Sequence, residues 1–114
     1  MKVNRLNDYE RGVLLPLVVG LLRDANGRKL TSFMIAEQIR KTGHSCDSFR
    51  VRRVVNHIRC NALIPCLASG NNGYFVASNA DEISETINSL EGRIEAIQEV
   101  ISALREQRYV KYNF

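Results

Sequence analysis

Long apolar runs are missing from this chain of 114 residues. The longest, Val13 to Leu22, is punctuated by Pro16 and Gly20 and falls short of the ~18 residues that cross a bilayer, so no membrane partner is expected. A secretory leader is not expected either. Asp8 and Glu10 stand just before the apolar stretch, and no small-residue cleavage site follows it. The expected compartment is a bacterial cytoplasm or nucleoid. Cysteine is scarce: Cys46, Cys60 and Cys66 are an odd number, with no CxxC pair. Together with His44 and His57 their gaps match no common zinc finger or ribbon. No metal is expected, and the thiols read as small buried or half-buried side chains in a reducing compartment. Catalytic signatures are lacking as well. There is no phosphate loop, no GxSxG elbow and no HExxH. His44 and Cys46 fall in a turn whose only acid, Asp47, caps a helix. The chain is therefore not expected to be an enzyme or to carry a cofactor. Low-complexity tracts are absent, which excludes a large disordered segment.

What the sequence does contain is unevenly placed charge. The net charge is only +4, yet residues 28–61 hold eight basic and two acidic side chains, and residues 62–108 hold three basic and seven acidic. A basic middle beside an acidic end separates two jobs, and the middle is where a polyanion would bind.

Hydrophobic spacing predicts mostly helix. Asn7 or Asp8 caps a first helix to about Asp24, with Leu14, Leu17, Val18, Leu21 and Leu22 on one face. Pro16 predicts a kink or a later start, and Gly27 a positive-φ stop. Ser32 is the expected cap of a second helix, buried through Met34 or Ile35, Ala36 and Ile39 and ended by Gly43. After the short link "KTGHSC", Asp47 caps a third helix to about Asn61. "LIPCLAS" and "YFVAS" around the "SGNNG" turn predict a β-hairpin, with Pro65 on an edge strand. Asn79 or Asp81 starts a last helix to about Arg108. Its apolar residues Ile83, Ile87, Leu90, Ile94, Ile97, Ile101 and Leu104 step by alternating fours and threes, a coiled-coil seam.

The third helix, in "DSFRVRRVVNHIR", threads arginines between aliphatics. On a helical wheel Val51, Val54, Val55 and Ile58 share the core arc. Phe49, Arg53, Asn56 and Cys60 lie nearly opposite, with Arg52 and Arg59 on one flank and Arg50 and His57 on the other. Arginine can pair with guanine and asparagine with adenine through two hydrogen bonds each, while flanking cations meet phosphates. The candidate DNA-binding residues are Lys41, Ser48, Arg50, Arg52, Arg53, Asn56, His57 and Arg59, with Asn71 and Asn72 at the hairpin tip.

The run "LTSFMIAEQI…FRVRRVVNHIR…LIPCLASGNNGYFVAS" resembles a winged helix-turn-helix domain. Its layout is similar to that of the biotin-repressor DNA-binding domain and of small winged-helix proteins of bacteriophages and mobile elements. The resemblance covers about residues 28–95. It implies an α+β, mostly α fold: a winged helix-turn-helix domain over residues 1–78 with a small β-hairpin wing, a long C-terminal coiled-coil helix over 79–108, and a tail over 109–114. The wing departs from the family pattern in having no Lys or Arg at its tip.

The function expected from these features is sequence-specific binding of double-stranded DNA by a small oligomeric transcriptional regulator of phage type. Homodimerisation through the last helix would give two heads for paired half-sites. Ile at every a position leaves trimers and tetramers open, and the helix could instead fold back on the first helix of its own chain. The rival class is a protein-interaction or assembly module acting through the acidic coiled coil. Structured RNA suits the basic helix poorly, because its major groove is too narrow.

Overall fold

The computed structural model describes residues 5–114. It contains four α-helices and one two-stranded antiparallel sheet in the order α1 (Leu15–Asp24), α2 (Ser32–Lys41), α3 (Ser48–Cys60), β1 (Leu67–Gly70), β2 (Gly73–Val76) and α4 (Ala80–Tyr112). This agrees with the expected α+β, mostly α class. Among the described residues no helix is long and apolar enough to cross a membrane.

A helical path begins before α1, and α1 itself starts at Leu15 with Pro16 in its first turn. Asn7 and Glu10 form a reciprocal cap: Glu10 N–H donates to Asn7 Oδ1 at 2.7 Å and Asn7 N–H donates to Glu10 Oε1 at 2.9 Å. A π-helical turn, Glu10–Leu14, follows, and Leu15 N–H reaches back to the Glu10 carbonyl. A proline ring collides with the carbonyl four residues earlier. The widened turn leaves room for it, and the chain continues with helical backbone into α1.

Caps set the remaining starts. Asp47 Oδ1 accepts from Arg50 N–H at 2.8 Å and Asn79 Oδ1 from Glu82 N–H at 3.0 Å, as anticipated. The cap of α2 is Thr31, which accepts from Met34 N–H at 3.1 Å, and Ser32 is the first helical residue. Gly27 and Gly43 both take positive φ, as their places after helix ends predict. α4 runs on to Tyr112, one turn past its expected end, and closes with Asn113 in the left-handed region.

The core is a single cluster. Leu14, Val18, Ile35, Ile39, Val51, Val54, Val55 and Ile58 are almost wholly enclosed. On α2 the enclosed residues are Ile35, Ala36 and Ile39, and Met34 stays exposed. The hairpin joins this core edge-on. β1 and β2 pair with Ser69 opposite Tyr74 and Gly70 opposite Gly73. Leu30, just before α2, adds a bridge to Tyr74 through two backbone hydrogen bonds of 3.0 and 2.8 Å. Pro65 precedes the pairing instead of lying in an edge strand, because Cys66 turns the chain with a φ of 60°. Neither Asn71 nor Asn72 has positive φ, and that conformation falls on Gly73.

The first turns of α4 lie on β1. Thr86 is buried, and its hydroxyl accepts from Ser69 N–H at 3.1 Å while facing the carbonyls of Ser69 and Glu82. Ile83 and Leu90 are half-buried beside it. From Glu91 onward every side chain is exposed. The helix leaves the domain at Gly92, whose surroundings are empty. At ~1.5 Å per residue α4 is about 50 Å long, matching the 53 Å long axis of the molecule.

Gly73 provides the test of the bridge. A Cβ there would land on the Leu30 carbonyl and the Thr31 nitrogen, at a φ of 117°. Gly73→Ala is expected to lower stability by ~2 kcal/mol or more. Gly20→Ala, inside α1 with open space around it, should raise stability by ~0.5–1 kcal/mol. Urea denaturation of the two variants measures both effects.

Candidate nucleic-acid interface

α3 has three environments around its circumference. Val51, Val54, Val55 and Ile58 have no exposed surface, so the helix cannot roll. Its other two faces hold arginines in opposite roles.

On the flank toward the N-terminal segment the arginines work inside the protein. Arg53 Nε–H donates to Glu10 Oε2 at 3.2 Å, and Arg53 Nη2 donates to the Arg5 carbonyl at 2.6 Å. Glu10 is only 2% exposed. Burial opposes its charge, but the Asn7 N–H, the hydrogen bond from Arg53 and the charges of Arg53 and Arg50 outweigh it, so its carboxyl lies below the ordinary value. Arg50 stacks its guanidinium 5.6 Å from the Tyr9 ring centre, and the Tyr9 hydroxyl donates to the Ser45 carbonyl at 2.6 Å. The structure thus places Arg53 in an internal ion pair, away from the open polar face to which the helical wheel assigned it.

The opposite flank is open. Arg52 and Asn56 are exposed and form one wall of a cleft of about 410 Å³ between α3 and the hairpin. Arg59 forms the floor. Its Nε–H donates to the Leu67 carbonyl at 2.9 Å and its guanidinium lies 5.5 Å from the Tyr74 ring centre. Arg59 therefore also ties the helix to both strands. Its Nη2 is enclosed and has no hydrogen-bond partner. Ser69, Asn71 and Tyr74 form the hairpin wall, and the start of α2 contributes Thr31 and Ser32. Burial raises the Tyr74 phenol against the pull of Arg59, Arg52 and Arg93, so it stays protonated.

The fourth wall was missed in the sequence reading. Arg93 of α4 lines the same cleft, although its position in the heptad had assigned it to the coiled coil. A signal was present: Arg93 follows the buried Thr86 by seven residues, so the two share a helix face.

The other candidates lie around this cleft or beyond it. Asn72 is exposed at the hairpin tip and Lys41 at the end of α2. Ser48 opens α3 and is half-buried. His57 is half-buried, with its Nδ1 3.4 Å from the Asn61 amide nitrogen. Phe49 is 63% exposed. Cys46 is buried, whereas Cys60 and Cys66 are exposed instead of half-buried. Of the proposed seam, Ile83 and Leu90 pack partly against the protein's own domain, and Ile94, Ile97, Ile101 and Leu104 are free on the distal arm.

Comparison with protein-family models, with curated proteins and with solved structures returns no match for this chain.

The Glu10–Arg53 pair generates a pH prediction. Because the Glu10 carboxyl is held below its ordinary value near 4.5, its stabilising contribution is complete above that value. It is lost as pH falls through the lowered one. Glu10→Gln should cost ~1–3 kcal/mol at neutral pH. The gap from the parent protein should shrink below the ordinary value, as measured by urea midpoints across the acid range.

Proposed function

We propose that the protein binds double-stranded DNA as a winged helix-turn-helix regulator and self-associates through α4. In this reading α2, the link and α3 are the helix-turn-helix, α3 is the recognition helix and the hairpin is the wing. One observation carries it. The open flank of α3 presents Arg52 and Asn56 beside Arg59 and Arg93, in a cleft whose walls hold no carboxylate. Such a surface suits a polyanion and repels cationic partners. Asn56 is the candidate base reader, while Arg52, Arg93 and Lys41 are candidate phosphate anchors. The exposed arm from Ile94 to Leu104 supplies the seam for a second copy. Oligomerisation and specific regulation at paired half-sites follow from this same reading.

That exposed arm also favours the second reading, a protein-assembly module. Salt response separates the two. Titrating a labelled random duplex from low to physiological salt, followed by fluorescence anisotropy, should give log K falling with log salt. The slope should be negative by about 0.9 for each phosphate met per protomer. Asn56→Ala should relax preference at one base pair by ~1–3 kcal/mol, and Arg52→Ala should weaken all sequences and flatten the slope by about one. No duplex binding at low salt would overturn the DNA reading and leave the assembly module.

Self-association has its own check. Ile97→Asp with Ile101→Asp places charges on exposed positions, so the domain should stay folded. Sedimentation of the parent protein should show an oligomer and that of the double variant a monomer. A monomeric parent at high micromolar concentration would remove the coiled coil from the mechanism.

A further inference from the structure

The cleft contains more than an open basic surface. Three guanidinium groups from two elements converge there: Arg52 and Arg59 from α3 and Arg93 from α4. Converging like charges repel, and burial together with the Arg93 charge holds the Arg59 guanidinium below its ordinary value. Arg59 Nη2 is enclosed without a hydrogen-bond acceptor, an arrangement that costs free energy unless something supplies one. Every charged side chain lining the cleft is an arginine, which can only donate. The phenol of Tyr74 is protonated, and Ser32 lies in the first turn of α2, where backbone N–H groups lack helical partners. Neither Arg52 nor Arg93 forms an ion pair with a carboxylate among the described residues.

We propose that the cleft between α3, the hairpin and α4 is a phosphate-binding pocket in which the guanidinium groups of Arg59, Arg52 and Arg93 share one tetrahedral phosphate group. The proposal deepens the DNA reading and rests on it only for the carrier of the phosphate, which is either a backbone phosphodiester or a free phosphate ester. The volume of about 410 Å³ admits a phosphate with part of its ester. Guanidinium groups match phosphate oxygens through paired hydrogen bonds. Because Arg93 belongs to α4, the bound phosphate bridges the recognition helix to the base of the arm.

The test is a titration of the full chain with inorganic phosphate at constant ionic strength, chloride being the replaced anion. Arginine Nε–Hε resonances are followed by NMR. A saturable shift of Arg59 that chloride does not reproduce is expected. Arg93→Gln, a change at an exposed position of α4, should weaken it about tenfold. Arg59→Lys, which keeps the charge but loses the planar fork, should abolish the saturation. A featureless change that tracks ionic strength, or an Arg93→Gln titration identical to the parent, would overturn the pocket. Duplex DNA is then added to the phosphate-loaded protein. Displacement of the phosphate assigns the pocket to the DNA backbone. Retention beside bound duplex assigns it to a free phosphate ester, and both results support it. Duplex binding without any phosphate response would overturn the pocket while leaving the DNA reading intact. A phosphate response without duplex binding would do the reverse.

Discussion

Everything on the outer surface of this protein depends on how α3 is seated. Val51, Val54, Val55 and Ile58 have no exposed surface, and each contributes roughly 1.5–3 kcal/mol of apolar burial. Their arc determines which side chains turn toward the N-terminal segment and which toward the hairpin. A rotation of α3 by one residue would bury an arginine and expose a valine. The apolar packing is therefore the reason that the arginine-lined cleft has a defined geometry.

The arginines of α3 divide their work accordingly. Arg53 neutralises a buried carboxylate 43 residues away in sequence, and Arg50 covers an aromatic ring. Arg59 sits between roles, bonded to a strand carbonyl by one nitrogen and unsatisfied at another. Only Arg52 on this helix is wholly outward and unengaged. The local positive charge is thus partly structural, and fewer cations face outward than the sequence count implies.

Periodicity and capping made the helices legible. The core face of α3 follows from the contrast between valines and arginines at helical spacing, and Asn7, Asp47 and Asn79 cap as their chemistry predicts. Thr31 displaces Ser32 because both are hydroxyl residues one step apart, a choice made by the Leu30 bridge to Tyr74. Arg53 was misplaced for a different reason. A wheel describes one helix, and the partner of Arg53 lies in another. The heptad of α4 had the same blindness. It presents one seam, but the structure divides that seam between the protein's own hairpin, at Ile83 and Leu90, and the exposed arm beyond. The cleft itself was only half legible, since Arg93 joins it through a docking of α4 that hinges on a single buried threonine.

The arm has a mechanical consequence. From Glu91 to Tyr112 it projects roughly 33 Å at ~1.5 Å per residue, close to the ~34 Å rise of one turn of duplex. Two arms overlapping antiparallel would hold their globular ends about one such turn apart, whereas a parallel pair would bring them side by side. Gly92 stands at the root of this arm, inside the continuous helix, where an added Cβ would meet nothing within 4 Å. In the proposed dimer the length of the arm would therefore set the nominal separation of the two globular ends.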